Sequence, residues 1–264
     1  MKNNTQLKDP QFNPFSLENK LILVTGASSG IGRQCAVICS NMGARVVLFG
    51  RDSARLDTSL QMMTEPERHI KYAVDLVDYK KVEEIIPDLV SASGKIDGLI
   101  NCAGISTTLP INSSTPEKME LFFKTNVIGP MNLTRLVVKA SHFSKAGGSV
   151  IFISSVMGVV GESGKVLYSL TKGALVASAK SLAVELSVRR IRVNSISPGV
   201  VESPMSQQAV YSKDQESRNR ISGLHPLGLG ISDDIANACV FLLSDSGKWI
   251  TGTNLIVDGG YLAK

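Results

Sequence analysis

A chain of 264 residues, 43% hydrophobic and 19% charged, is long enough for one large α/β domain with a full core, and its composition is that of an ordinary globular protein. Its longest apolar runs are too short and interrupted to span a bilayer, and residues 1–14 lack the hydrophobic centre of a signal peptide, so a cytoplasmic protein without a membrane partner is expected. A net charge of +5 permits an acidic partner, but no dense Lys/Arg stripe or stacking platform marks a nucleic-acid binder. The four cysteines (Cys35, Cys39, Cys102, Cys239) show no metal-ligand spacing. Cys35 and Cys39 read as small buried thiols in a reducing compartment.

Residues 1–19 read as a loose arm. Residues 20–25 form an apolar, β-rich run, the mark of a strand buried on both faces. It leads into Gly26, Ser28, Ser29, Gly30, Ile31 and Gly32, and a helical pattern then continues to Met42. A glycine turn from strand to helix lets the backbone approach a pyrophosphate, which the helix N-terminus meets with unpaired N–H groups. The spacing here is G-x-x-x-G-x-G, not the commoner dinucleotide fingerprint. A turn used only for tight packing is the bland alternative. The second strand, Arg45–Phe49, ends in Gly50 and Arg51. A carboxylate at that place would take a ribose 2′-hydroxyl, whereas an arginine accommodates a 2′-phosphate. NADP(H) is therefore favoured over NAD(H), unless Arg51 merely caps the turn and Asp52 is the N-cap of the next helix.

A third strand over 70–74 ends in Asp75 and Leu76, a helix spans 79–93, and a fourth strand, 98–100, ends in Asn101-Cys102-Ala103-Gly104. Such alternation predicts a parallel sheet covered on both faces, with ligands at the carboxyl ends of the strands. The next helix starts near Pro116 and carries Asn126, whose ordinary reading is a satisfied polar group in a core. The fifth strand, 149–153, ends in Ser154-Ser155. Tyr168 and Lys172, four apart, lie on one face of a helix that runs on to Leu186. An ammonium beside a phenol favours the phenolate, which brings the phenol into use as an acid/base nearer pH 7. A serine hydroxyl at the same spot could hydrogen-bond the oxygen on which charge develops. Taken alone, the spacing also fits an exposed tyrosine covered by a lysine. The sixth strand, 191–196, leads to Pro198 and Gly199. Residues 204–230 are polar and irregular, as in a lid. A helix over 235–243 and a strand over 254–257 complete a single domain, 20–264.

Thr25-Gly-Ala-Ser-Ser-Gly-Ile-Gly32, Asn101-Cys-Ala-Gly104, Asn126, Ser155, Tyr168-x-x-x-Lys172, Pro198-Gly199 and Val257-Asp-Gly-Gly260 occur in this order. The set resembles the short-chain dehydrogenase/reductase family over about residues 20–261. That resemblance implies a doubly wound Rossmann fold, seven parallel strands in the order 3-2-1-4-5-6-7, and a homo-oligomer, commonly a tetramer. It implies that Gly26, Ser28, Ser29, Gly30, Ile31 and Gly32 hold the pyrophosphate and neighbouring ribose, with Arg51 at the 2′-phosphate. Asp75 and Leu76 would frame the adenine, and Asn101, Ala103 and Gly104 the groove. Pro198, Gly199, Val201 and Ser203 would bind the nicotinamide end. Tyr168 would give its proton to the carbonyl oxygen, Ser155 would hydrogen-bond that oxygen, and Lys172 would hold the ribose and act on Tyr168. Asn126 would hold a water leading from Lys172 to solvent, which replaces its bland reading. Cys102 and Ser203 stand where the family more often has asparagine and threonine.

The resemblance is nearest to 3-oxoacyl-[acyl-carrier-protein] reductases. It implies an NADPH-dependent carbonyl reductase of fatty acid biosynthesis, with an acidic carrier protein as partner and Arg189, Arg190 and Lys145 as its cations. Compensation of a helix end explains Arg189 equally well. Two alternatives stand beside this reading: a dehydrogenase of a sugar, steroid or small secondary alcohol, and a silent nucleotide-binding regulatory relative. The intact Asn126, Ser155, Tyr168 and Lys172 weigh against the last.

Overall fold

The computed structural model describes residues 13–207 and 214–263. The apolar runs become strands whose successive side chains point to opposite faces, so a run apolar throughout needs cover on both sides. β1 (Leu21–Thr25) buries all five of its residues. Around it lie β2 (Arg45–Gly50), β3 (Ile70–Ala73), β4 (Gly98–Asn101), β5 (Gly148–Ile153), β6 (Ile191–Pro198) and β7 (Asn254–Val257). All pair in parallel, in the order β3-β2-β1-β4-β5-β6-β7. This is the expected doubly wound fold.

The alternation within the strands divides the core in two. Ile22, Val24, Val46, Leu48 and Ile151 face α1 (Gly30–Asn41), α2 (Ser53–Gln61) and α9 (Ser232–Leu243). Leu21, Leu23, Val47, Val150 and Phe152 face α3 (Tyr79–Ser93), α5 (Gly129–Val137) and α6 (Val166–Leu186). Chain order reverses between β1 and β4, which opens a crevice at the carboxyl edge of the sheet.

Three local readings change. The chain joins the body before residue 20: Leu17 is fully buried, its N–H donates to Met42 O at 2.8 Å, and Pro14 O accepts from Ser246 Oγ at 3.0 Å. Of the expected arm, residues 1–12 lie outside the described residues. The expected irregular stretch, 204–230, contains α7 (Pro204–Gln207) and α8 (Gln215–Gly223), with 208–213 outside the described residues. Asp214 caps α8 by accepting from Ser217 N–H at 2.7 Å. Only Ile221 of α8 is buried, so this helix needs no apolar stripe and shows no periodicity. Finally, Lys145, Arg189 and Arg190 precede β5 and β6 and therefore stand at the amino edge, opposite the crevice. The Arg189 guanidinium donates to the carbonyl of Val138 at the end of α5, so the helix end it meets is not that of its own helix, α6. Cys35, Cys39 and Cys239 are free and buried. No described helix is long and apolar enough to cross a membrane.

Candidate active site

The glycine turn is built by contact. Thr25 Oγ1 accepts from the N–H groups of Cys102 and Ala103, each at 3.0 Å, which binds the ends of β1 and β4 together. Gly26 has φ +68°, and a Cβ there would stand 3.0 Å from Ala103 N. A Cβ on Gly32 would meet Gly26 O at 2.3 Å. The backbone is thus left bare where α1 begins, and Ser29 precedes that helix in extended conformation with no capping side-chain bond. Bare glycine backbone beside unfilled helix N–H groups fits a dinucleotide pyrophosphate.

One cleft runs along the carboxyl edge from this turn to Tyr168 and Lys172. At the end beside β2 it is lined by Arg51 and Arg55, past Asp75 and Leu76. Asp52 does not point its carboxylate at a ribose; it caps α2, accepting from Arg55 N–H at 3.0 Å. Arg33, which sequence reading passed over, donates to Ser28 O at 2.6 Å and to Ser59 Oγ at 2.9 Å. Burial and the like charge of Arg55 hold its guanidinium below the usual range. Among the described residues, no carboxylate forms an ion pair with Arg33, Arg51 or Arg55.

At the other end, α6 carries Tyr168 and Lys172 on one face, with Lys172 Nζ 5.6 Å from the centre of the tyrosine ring. Lys172 is 5% exposed and donates to Ile153 O at 2.8 Å. Burial lowers its pKa to about 8, an effect Cys102 partly opposes. Ser154 Oγ donates to Lys172 O at 2.8 Å, fixing α6 to the end of β5. Ser155 caps the next turn, its Oγ accepting from Met157 N–H at 3.2 Å.

Asn126 stands fully buried in a π-turn, Lys124–Ile128, that joins α4 (Pro116–Phe123) to α5. Such turns expose a side chain at an angle no α-helix offers, and they recur at functional sites. Its Oδ1 accepts from Ile105 N–H, and its Nδ2 donates to Ile105 O and to Thr171 Oγ1 at 3.1 Å. It lies behind the wall, with Gly104 between it and the cleft. Asn101, expected to line the groove, turns away: its Nδ2 donates to Thr134 Oγ1 at 3.1 Å. Cys102, Ala103 and Gly104 form that part of the wall instead.

Pro198, Gly199, Val201 and Ser203 line the cleft at and beyond the end of β6. Behind them stands His225, 3% exposed, which the sequence showed only as part of a turn-rich run. Its Nε2 accepts from Val200 N–H at 3.1 Å, which places the proton on Nδ1 to donate to Ile221 O at 2.8 Å. Met157, Met205, Ile221 and Tyr261 line the cleft beyond the reactive groups.

A family model described as enoyl-(acyl carrier protein) reductase matches residues 26–262. The 3-oxoacyl-[acyl-carrier-protein] reductase FabG of Thermotoga maritima is 31% identical over 246 residues, which cover 92% of this chain and 98% of that protein. The L-rhamnose 1-dehydrogenase (NAD(P)(+)) of Azotobacter vinelandii is 34% identical over 253 residues, 92% of this chain and 97% of that protein. A crystal structure of a gluconate 5-dehydrogenase from Burkholderia cenocepacia J2315, in complex with NADP and tartrate, superposes with a TM-score of 0.88 at 25% identity, covering 95% of this chain and 98% of that one. The chain belongs to the short-chain dehydrogenase/reductase family and is an NAD(P)-dependent oxidoreductase.

Proposed function

We propose that this family member is an NADP(H)-dependent carbonyl reductase acting on a small polar ketone. The observation that carries the reductase reading is the pairing of Lys172 with Tyr168 at the end of a cleft whose far end is lined by Arg51 and Arg55, and the rhamnose and gluconate dehydrogenases among the relatives support a small polar substrate. When bound, the nicotinamide supplies the hydride. Tyr168 gives its phenolic proton to the carbonyl oxygen as that oxygen gains charge, and Ser155 donates a hydrogen bond to the same oxygen. The Lys172 ammonium favours the tyrosinate left behind. Asn126 holds the Ile105 loop and α6 in register, and carries a water through which Lys172 passes a proton to solvent. Gly26, Ser28, Ser29, Gly30, Ile31 and Gly32 hold the pyrophosphate, and Asp75 and Leu76 the adenine. Gly199, Val201 and Ser203 seat the nicotinamide. Arg51 takes the 2′-phosphate, which the capping role of Asp52 favours, because the carboxylate next to the end of β2 is engaged by the helix start.

A 3-oxoacyl thioester is the second reading, supported by the Thermotoga relative. Within one chain it gains nothing from Arg189, which stands at the opposite edge of the sheet. NADPH oxidation with ketosugars, oxo acids, 3-oxoacyl thioesters and ketosteroids tests both. Turnover confined to thioesters replaces the first reading with the second, and no turnover of any ketone overturns both. α7 and α8 act as the substrate lid. Val159, Val160, Val166 and Leu170 form an exposed apolar patch at the start of α6, which a second copy would cover in a homo-oligomer. Free buried thiols suit a reducing cytoplasm.

A further inference from the structure

The cleft contains a second lysine that the reaction above does not use. Lys165 precedes α6, three residues before Tyr168, so the two stand on neighbouring positions of one helical face, and both line the cleft. Its Nζ donates to Thr108 Oγ1 at 2.7 Å and lies 3.4 Å from Thr107 O. An ammonium has three N–H donors, so one is left over. Among the described residues no carboxylate is within ion-pair distance of it. The exposed Glu162 supplies only a longer-range field, and burial holds the ammonium below its usual range. Glu162 also lines this cleft and its field reaches Tyr261 as well; the other facing groups are Met157, Met205, Ile221 and Tyr261, with Arg220 near the tyrosine. A half-buried cation with a spare donor and no ionic partner is matched by a ligand anion.

Granting the reductase reading, we propose that Lys165 receives a carboxylate of the substrate, which makes the preferred substrate class a small oxo acid whose ketone reaches Tyr168 while its carboxylate reaches Lys165. The competing role is structural, in which Lys165 only ties the 105–109 loop to α6. That tie has its own backbone bond, Leu109 N–H to Gly164 O at 2.7 Å.

The test uses the full chain with saturating NADPH, and the probes are acetoacetate, levulinate and 5-oxohexanoate with their methyl esters. Wild type should prefer acid over ester at one or more chain lengths. Lys165→Met should erase that preference, lowering kcat/KM for the preferred acid by roughly tenfold or more, chiefly through KM. The ester should change by less than about twofold. Lys165→Gln, which keeps a donor for Thr108 without the charge, should behave like the methionine variant, and Lys165→Arg should keep the preference. An acid-to-ester ratio unchanged by substitution, or equal losses on both, overturns the assignment. If wild type reduces none of these probes, the reductase reading fails on them, and calorimetric titration of the NADP⁺-loaded protein with the three acids decides about Lys165. Acid binding weakened roughly tenfold in Lys165→Met with NADP⁺ affinity intact upholds the carboxylate site. No acid binding, or binding indifferent to the substitution, overturns it.

Discussion

Asn126 and Ile105 exchange two hydrogen bonds, Ile105 N–H to Oδ1 at 2.8 Å and Nδ2 to Ile105 O at 2.9 Å. One side chain thus satisfies a loop residue as a neighbouring strand would, and its Nδ2 also reaches Thr171 one turn from Tyr168. Asn126→Ala would leave the two Ile105 backbone groups without these partners, at about 1–3 kcal/mol for each that stays dry, while Thr171 Oγ1 keeps its bond to Tyr168 O. The expected outcome is a lower urea midpoint together with a loss in kcat. A variant as stable as wild type would show that the loop is held from elsewhere.

On the proposed function, Tyr168→Phe removes the proton donor and leaves the glycine turn untouched. Turnover should fall by far more than tenfold while NADPH affinity, measured by fluorescence titration, stays near wild type. A variant keeping above about a tenth of wild-type kcat, a barrier change under ~1.4 kcal/mol, would strip Tyr168 of the acid role.

Cofactor choice tests the arginines. A charge-assisted contact with the 2′-phosphate contributes about 1.5–3 kcal/mol, roughly tenfold or more. Arg51→Ala should therefore reduce kcat/KM with NADPH by that factor and leave NADH use little changed. Arg55→Ala should act in the same direction, more weakly, because Arg55 is one turn further from the strand end. Parallel losses with both cofactors would give these arginines a structural role only.

The strands and glycine turn were legible because each is local: an apolar run, a breaker, a helix start. The Tyr168–Lys172 pair was legible for the same reason, as a spacing within one helix. Arg33, Arg55 and His225 were not, because their meaning depends on partners far along the chain, such as Ser59 for Arg33 and Val200 for His225. Asn101 shows the opposite failure. It closes β4, one residue later than the expected strand end, and which way a side chain leaves a strand end is decided by packing, here by Thr134 of α5. The π-turn is hidden too, since one extra residue in a helical turn leaves no compositional trace.

Lys172 predicts an opposition between stability and activity. The gap between about 8 and the ordinary 10.5 corresponds to at most ~3 kcal/mol. Below pH 8 this lysine is protonated in folded and unfolded chains alike, and the folded chain bears the whole desolvation cost. Between about 8 and 10.5 the folded chain sheds the proton first, so stability rises with pH. Lys172→Met should thus stabilise the cofactor-free protein at pH 7 by about 1–3 kcal/mol, less the lost bond to Ile153 O, while abolishing turnover. The advantage should shrink towards zero near pH 10. Denaturation curves across that range check it, and a variant less stable than wild type at pH 7 would refute it.

His225 ties α8, the proposed lid, to the Val200 segment that the proposed function places beside the nicotinamide. Through one imidazole, Ile221 at the end of α8 is fastened to Val200 beside the cofactor groove. On the proposed function, a substrate that draws α8 inward would also shift Val200, and the two ligands would then be energetically coupled. Such coupling is reciprocal: the factor by which substrate tightens NADP(H) equals the factor by which NADP(H) tightens substrate. Titrating each ligand with and without the other reads this factor from both sides, and His225→Phe, which breaks the pin, should bring it close to one. A factor that survives the substitution would place the coupling outside the hinge. On this prediction, the affinity for the cofactor would be partly written by what occupies the other half of the cleft.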